Sequence, residues 1–224
     1  CPMINNLCFC LAVEKLLSLE APPKAQWMRV MLAELTRLNS HLVWLGTHAI
    51  DIGAMSVFLY CFREREELLR IFEMASGQRM MTSYIRVGGL ALEPPLGFFE
   101  RVRALADIFP SRIDEYESLL TENPIWKERT QGVGAISLED AIDLGMTGPA
   151  LRACGLAWDI RRAAPYTGYE RFDFEIPTRT QGDVYARYQV RMAEMRQSVR
   201  IVQQALDGMP EGRVVAQAPH VVLP

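Results

Sequence analysis

The sequence has no C-x-x-C pair, although it carries five cysteines, Cys1, Cys8, Cys10, Cys61 and Cys154, in 224 residues. An odd number at irregular spacing argues against a disulfide scaffold and a thiolate metal site, and predicts free thiols buried as small hydrophobes. Cys8 and Cys10 stand two apart, so on a helix they point to different faces. Long apolar runs are also missing. None reaches the roughly 18–20 residues that a membrane-crossing helix needs, because charges such as Glu14, Arg29 and Arg37 interrupt the helical stretches. Neither sign of charge is in large excess: 24 basic and 27 acidic side chains give a net charge of −3, which leaves no electrostatic footprint for nucleic acid. There is no charged-then-apolar leader with a small-residue cleavage site, which suggests a protein of the cytoplasmic or matrix side. The serines lack a G-x-S-x-G context, so nucleophilic catalysis has no support. The glycines of Gly148 to Arg161 suit a tight turn but bring no phosphate-loop lysine, and no G-x-G-x-x-G turn follows a strand. Internal repeats and low-complexity segments are absent.

What remains is helical punctuation and an apolar half. Hydrophobic residues make up 50% of the chain, enough for a substantial core in one large or two small domains. Leu7 to Leu19 has helical character and ends before Pro22-Pro23, which suit the start of the next helix. From Lys24 to about Gly46, Met28, Met31, Leu32, Leu35, Leu38, Leu42 and Leu45 recur at helical spacing. A further helix is expected from Ala54 to Ala75, with Gly77 as its stop and with exposed i,i+4 pairs such as Arg63–Glu67. Ser83 to Gly89 is β-branched and glycine-ended, hence extended or a loop. Pro94-Pro95 opens a helix over Leu96 to Leu120, residues 121–181 read as short helices and loops, and a last long helix spans Gly182 to Leu206. The architecture is mainly α, a helical bundle with irregular loops, over residues 1–212. Residues 213–224 are expected to form a tail that orders only if a partner holds it.

Candidate chemistry is sparse. In GTHAIDIGAM (Gly46 to Met55), His48 and Asp51 lie three apart, so one helical face can bring imidazole and carboxylate together. His41 lies two turns earlier on the same side, but helical metal sites usually space their ligands by three or four residues, so no metal is assigned. The plain alternative is a helix-terminal Asp51 bonded to nearby backbone or to His48. Asp114, Glu115, Glu117 and Glu122 are expected to be solvated or paired with Arg112, Lys127 and Arg129 rather than arranged for hydrolysis. Trp126 and Arg129 read as structural pins. The aromatics of Pro165 to Pro177 read as a packed interface.

Two segments are more specific. SRIDEYESLLTENPIWKERT (Ser111 to Thr130) and GDVYARYQVRMAEMRQSVRIVQQAL (Gly182 to Leu206) resemble the D-subunit family of NADH:quinone oxidoreductase, respiratory complex I. The resemblance runs from LAVEKLL (Leu11 to Leu17) to LDGMPEG (Leu206 to Gly212). It implies a helical bundle of the [NiFe]-hydrogenase large-subunit type. Because the chain opens on Cys1 inside a helix, it reads as a fragment with the family's β-containing ends missing.

The resemblance further implies a peripheral-arm subunit on the cytoplasmic side of the inner membrane. Its partners would be iron–sulfur and other peripheral subunits together with membrane-arm subunits, and its substrate quinone. No cofactor is expected on this chain itself, the iron–sulfur cluster and NADH being handled by partner subunits. Asp51 matches the family aspartate behind the quinone headgroup, and the histidine and tyrosine that would complete that site fall before Cys1. Met81 stands where many members carry a histidine near the terminal cluster, and it cannot titrate; its plain reading is core filler. Arg86 matches an arginine placed near that cluster, against the plain reading of a salt bridge. His48 is grouped with them as a cofactor-side residue. Two other readings stay open: a [NiFe]-hydrogenase-like large subunit, which needs two C-x-x-C pairs, and a structural adaptor without a site.

Overall fold

The computed structural model describes residues 2–217, and their elements are mainly helical. In chain order they are α1 (Pro2–Leu17), α2 (Pro23–Ile52), α3 (Met55–Ser76), β1 (Ile85–Arg86), β2 (Gly89–Leu90), α4 (Phe98–Leu120), α5 (Pro124–Thr130), α6 (Leu138–Asp143), α7 (Gly148–Ala153), α8 (Ile160–Ala163), a 3-10 turn at Tyr169–Arg171, and α9 (Val184–Asp207). The punctuation works as local chemistry requires. Pro23 opens α2 where its missing N–H costs nothing. Gly77 ends α3 in the left-handed conformation. The Asp183 carboxylate accepts the Ala186 N–H at 2.7 Å and caps α9.

The 30-residue α2 is the axis of the molecule, packed between α3 and α9. It runs six residues past Gly46, where a stop was expected. A Cβ at position 46 would lie 3.3–3.4 Å from Phe58, Cys61 and Phe62, so this glycine allows α2 and α3 to cross closely and does not end the helix. Consequently Asp51 sits in the last turn of α2, just before the left-handed cap at Gly53.

Other expectations are corrected by partners distant in sequence. Arg63 does not pair with Glu67; it donates to Glu64 at 2.6 Å and to Glu115 of α4 at 2.6 Å, while Glu67 takes Arg70 and Arg101. Glu64 is buried, because Tyr116 of α4 also donates to it, so this stretch is not a solvated run. Cys8 is exposed, whereas Cys10 on the other face of α1 is buried with Cys61 and Cys154. The α4 helix begins at Phe98, leaving Leu96 fully exposed in the turn before it. Tyr169, Phe172 and Phe174 of the aromatic segment pack into this chain's own core.

A buried ion pair anchors the hairpin. Arg29 donates to both carboxylate oxygens of Glu14 at 2.6 and 3.0 Å and to the carbonyls of Arg86 and Gly89; Glu14 in turn accepts the Gly88 N–H at 2.7 Å. The described part of the expected tail lies beside this hairpin. Val214 is buried, its carbonyl accepts the Leu90 N–H at 2.9 Å, and Ala216 N–H donates to Gly88. Gly89, at φ +147°, permits this approach, since a Cβ there would stand 1.9 Å from the Val214 carbonyl oxygen. Residues 218–224 lie outside the described residues.

Candidate functional site

The last two turns of α2 carry three side chains that the bundle leaves partly open. Trp44 and His48, one turn apart, stack at 5.2 Å between ring centroids, and Trp126 of α5 meets His48 edge-on at 5.6 Å. The imidazole is thus clamped by two indoles, and its Nε2 is buried with no hydrogen-bond partner among the described residues. Burial, reinforced by Arg191 and Arg187 of α9, pushes the His48 pKa below its usual value, and Asp51 pulls weakly the other way. Asp51 itself is exposed, and among the described residues its carboxylate makes no hydrogen bond. Arg129 of α5 donates to the Ile52 carbonyl at 2.5 Å, which closes the carbonyl end of α2 and fixes where Asp51 stands. Here an ionisable carboxylate and a neutral, unsatisfied imidazole share one helix end. The first offers two free acceptor oxygens, and the second offers a hydrogen bond that nothing in the described chain takes.

The other two predicted residues lie elsewhere. Met81 has φ +54° and is 74% exposed, so it does not fill the core. With Met80, Arg79, Arg65 and the Thr36–Trp44 face of α2 it lines a cavity of about 400 Å³. Trp44 therefore faces this cavity with one part of its surface and His48 with another. Arg86 is exposed on β1, and its Nε donates to the Ser83 carbonyl at 2.8 Å, with no carboxylate partner among the described residues. The structure brings His48 and Asp51 together and separates both from Arg86.

Upstream on α2 a buried charge network had no counterpart in the sequence reading. Glu34, fully buried, accepts from Arg161 at 3.0 Å, Tyr169 at 2.6 Å, Ser198 at 2.6 Å and Arg37 at 3.2 Å. Burial alone raises its pKa, but Arg37 and Arg161 with the two hydroxyls outweigh that and hold it at about 2. Arg161 also binds Asp159, and Arg152 lies 3.6 Å from the same carboxylate. Arg152 donates to Glu194 Oε1 at 2.5 and 2.8 Å, and His41 Nε2 donates to Glu194 Oε2 at 2.8 Å. Burial pushes the His41 pKa down against the pull of Glu194, so the ring sits neutral and donates. Three acids then face three arginines, and the network is electrically closed.

The acidic cluster of α4 and the turn after it is paired with basic side chains as expected, but through Arg196 and Arg63 as well as Arg112 and Lys127, while Arg129 binds the end of α2 instead. Asp114 and Glu117 pair with Arg196, Glu115 with Arg63 and Arg112, and Glu122 with Lys127. Trp126 is 1% exposed, as a structural pin should be. The residues that sequence reasoning missed are Trp44, Arg191 and the Glu34–Arg161–Glu194 set. The one local signal was polar residues at positions 34, 37 and 41, three and four apart on a helix whose apolar stripe was already accounted for.

Comparison with known proteins identifies the family of the chain. Residues 51–224 match the family model described as the 49 kDa subunit of respiratory-chain NADH dehydrogenase. The chain is 72% identical over 223 residues to the NADH-quinone oxidoreductase D-subunit (number 1) of Solibacter usitatus, covering 100% of this chain and 54% of that protein. It is 66% identical to the corresponding D-subunit (number 2) of Koribacter versatilis, covering 100% and 56%, and 56% identical to that of Geotalea uraniireducens, covering 100% and 57%. The chain thus spans about half the length of the curated relatives it matches. It belongs to the 49 kDa subunit family of the respiratory-chain NADH dehydrogenase.

Proposed function

We propose that the protein containing this chain serves as a peripheral-arm subunit of NADH:quinone oxidoreductase, and that the carbonyl end of α2 forms part of its quinone-binding site. One observation carries the reading: Asp51 and the unsatisfied, neutral His48 meet at an open helix end, while nearly every other charge on α2 is closed off. Reducing a quinone by two electrons takes up two protons, so its site needs positioned groups that can give and recover them. Asp51 belongs to the site's proton and hydrogen-bond network, His48 supplies the adjoining hydrogen bond, and Trp44 and Trp126 fix the imidazole plane.

The electrons come from a cluster held by a partner. Cys10 and Cys61 lie buried on α1 and α3 and Cys154 just after α7, and among the described residues no three His, Cys, Asp or Glu side chains converge as a metal ligand set. Met81 and Arg86, both exposed, face that partner; Arg86 contributes positive charge near the cluster, and Met81 contributes no titrating group. NADH is oxidised at another subunit. Among the described residues no helix is long and apolar enough to cross a membrane, in keeping with peripheral attachment beside membrane-arm subunits on the cytoplasmic face. The helical scaffold is of the [NiFe]-hydrogenase large-subunit type.

The test is Asp51→Asn in the complete complex. Quinone reduction should fall about 10²-fold, in the range of a lost acid–base group, with electron delivery from NADH to an artificial flavin-site acceptor unchanged. Parallel loss of both activities would point to failed assembly and count against the assignment.

A further inference from the structure

Arg191 differs from the fully buried arginines of this chain. Arg29, Arg152 and Arg161 each meet a carboxylate at 3.0 Å or less. Arg191, half-buried on α9, meets none among the described residues, and residues 1 and 218–224 contain no Asp or Glu. Its guanidinium lies over the Trp44 ring at 4.3 Å, and its Nη1 donates to the Arg187 carbonyl at 3.2 Å; its Nε and Nη2 make no hydrogen bond there. Glu194 is the nearest acid along the helix, but Arg152 occupies one of its oxygens and His41 the other.

Apart from Glu194, whose oxygens are taken, the charged groups around Arg191 are cationic. Arg187, one turn earlier, donates only to the carbonyls of Gly182 and Gly134. His48, stacked behind Trp44, is neutral and feels both arginines. Burial lowers the Arg191 pKa to about 10 even with Glu194 one turn away, the mark of a desolvated charge without its own counter-ion. A guanidinium seated over an indole, with two N–H groups along one free edge, is matched by a carboxylate in bidentate geometry.

We propose that Arg191, backed by Trp44 and flanked by Arg187, is the seat of a carboxylate presented by protein lying outside these 224 residues. The pairing neutralises Arg191 and presses Trp44 onto His48, so it positions the imidazole at the α2 end. This link to His48 rests on the quinone-site reading, whereas the carboxylate seat does not.

The experiment uses the full-length protein in the complex with which it is isolated, carrying Arg191→Lys and treated with a carbodiimide, which joins an amine directly to a carboxylate it touches. Peptide mapping should find position 191 coupled to an Asp or Glu outside residues 1–224, and the peptide's identity tells whether it belongs to the same polypeptide or to a neighbouring subunit. Arg103→Lys, opposite Asp207 at 2.7 Å in the native chain, is the positive control. Coupling at the control with none at position 191 overturns the proposal. If Arg191→Lys fails to assemble, phenylglyoxal labelling of the unaltered protein replaces it. Arg191 should react about tenfold more slowly in the complex than after the complex is split, equal to about 1.4 kcal/mol of protection. Equal rates overturn the proposal. Neither readout depends on quinone activity, so loss of the quinone reading would leave both interpretable.

Discussion

The two halves of α2 treat similar side chains in opposite ways. Up to His41, Arg29, Glu34, Arg37 and His41 each find a partner on another element or on α2 itself, mostly within 3.2 Å, and all but Arg37 are buried. Beyond it, His48 keeps a buried nitrogen unsatisfied, Asp51 faces outward, and the Arg191 that covers Trp44 has no acid. A closed network stabilises only if every member stays paired, because an uncompensated buried charge costs several kcal/mol. An open end gives up that stabilisation and gains groups able to exchange protons and accept a ligand. One helix therefore serves as a rigid post at its start and as a reactive edge at its finish.

The contrast can be broken most sharply at Glu34. Glu34→Gln leaves Arg161 and Arg37 facing a neutral amide, and should lower stability by about 3–5 kcal/mol in denaturant unfolding. A loss under about 1 kcal/mol would mean that the network is not closed as described. At the other end, Asp51→Asn should change stability by no more than about 0.5 kcal/mol, as exposed substitutions do, despite its expected effect on quinone reduction.

The pH dependence sharpens the comparison further. His41 has a folded-state pKa below its ordinary 6.5, so below that pH the unfolded chain binds the extra proton first. Stability is therefore complete above pH 6.5 and falls as pH drops below it, and His48 acts in the same direction. His41→Gln, which keeps a donor to Glu194, should shrink this slope in unfolding measured from pH 7 to 5. Glu34, held at about 2 against 4.5, adds a second and more acid loss between those values. The smallest effect is expected at a solvated pair: Arg103→Gln, which removes the bond to Asp207, should cost at most about 0.5 kcal/mol. A larger cost there would erase the distinction between buried and exposed pairs.

How much of this was legible in the sequence depended on the range of the interaction. Pro23, Gly77 and Asp183 act on their own backbone neighbours, and the helix limits they set are the ones that periodicity and punctuation predict. Gly46 looked like a stop because a glycine's local meaning is flexibility; its actual role, contact with Phe58 and Phe62, lies on the next helix. The Glu34–Arg161 and Glu34–Ser198 bonds span 127 and 164 residues, a separation at which no spacing rule operates. Met81 was legible only as a non-titrating residue; that its side chain is exposed is decided by how the segment between α3 and β1 packs.

By itself the sequence determined the mainly helical composition, the approximate places where α2, α3 and α9 start, and the motifs that mark the family. Those depend on local backbone preference and on residue identity, both of which are written in order along the chain. The tertiary structure alone decided which charges are buried and paired, which imidazole is neutral and unsatisfied, and which arginines lack an acid. Desolvation and Coulomb attraction act through space, so the partner that sets each group's charge comes from whichever element the fold packs against it.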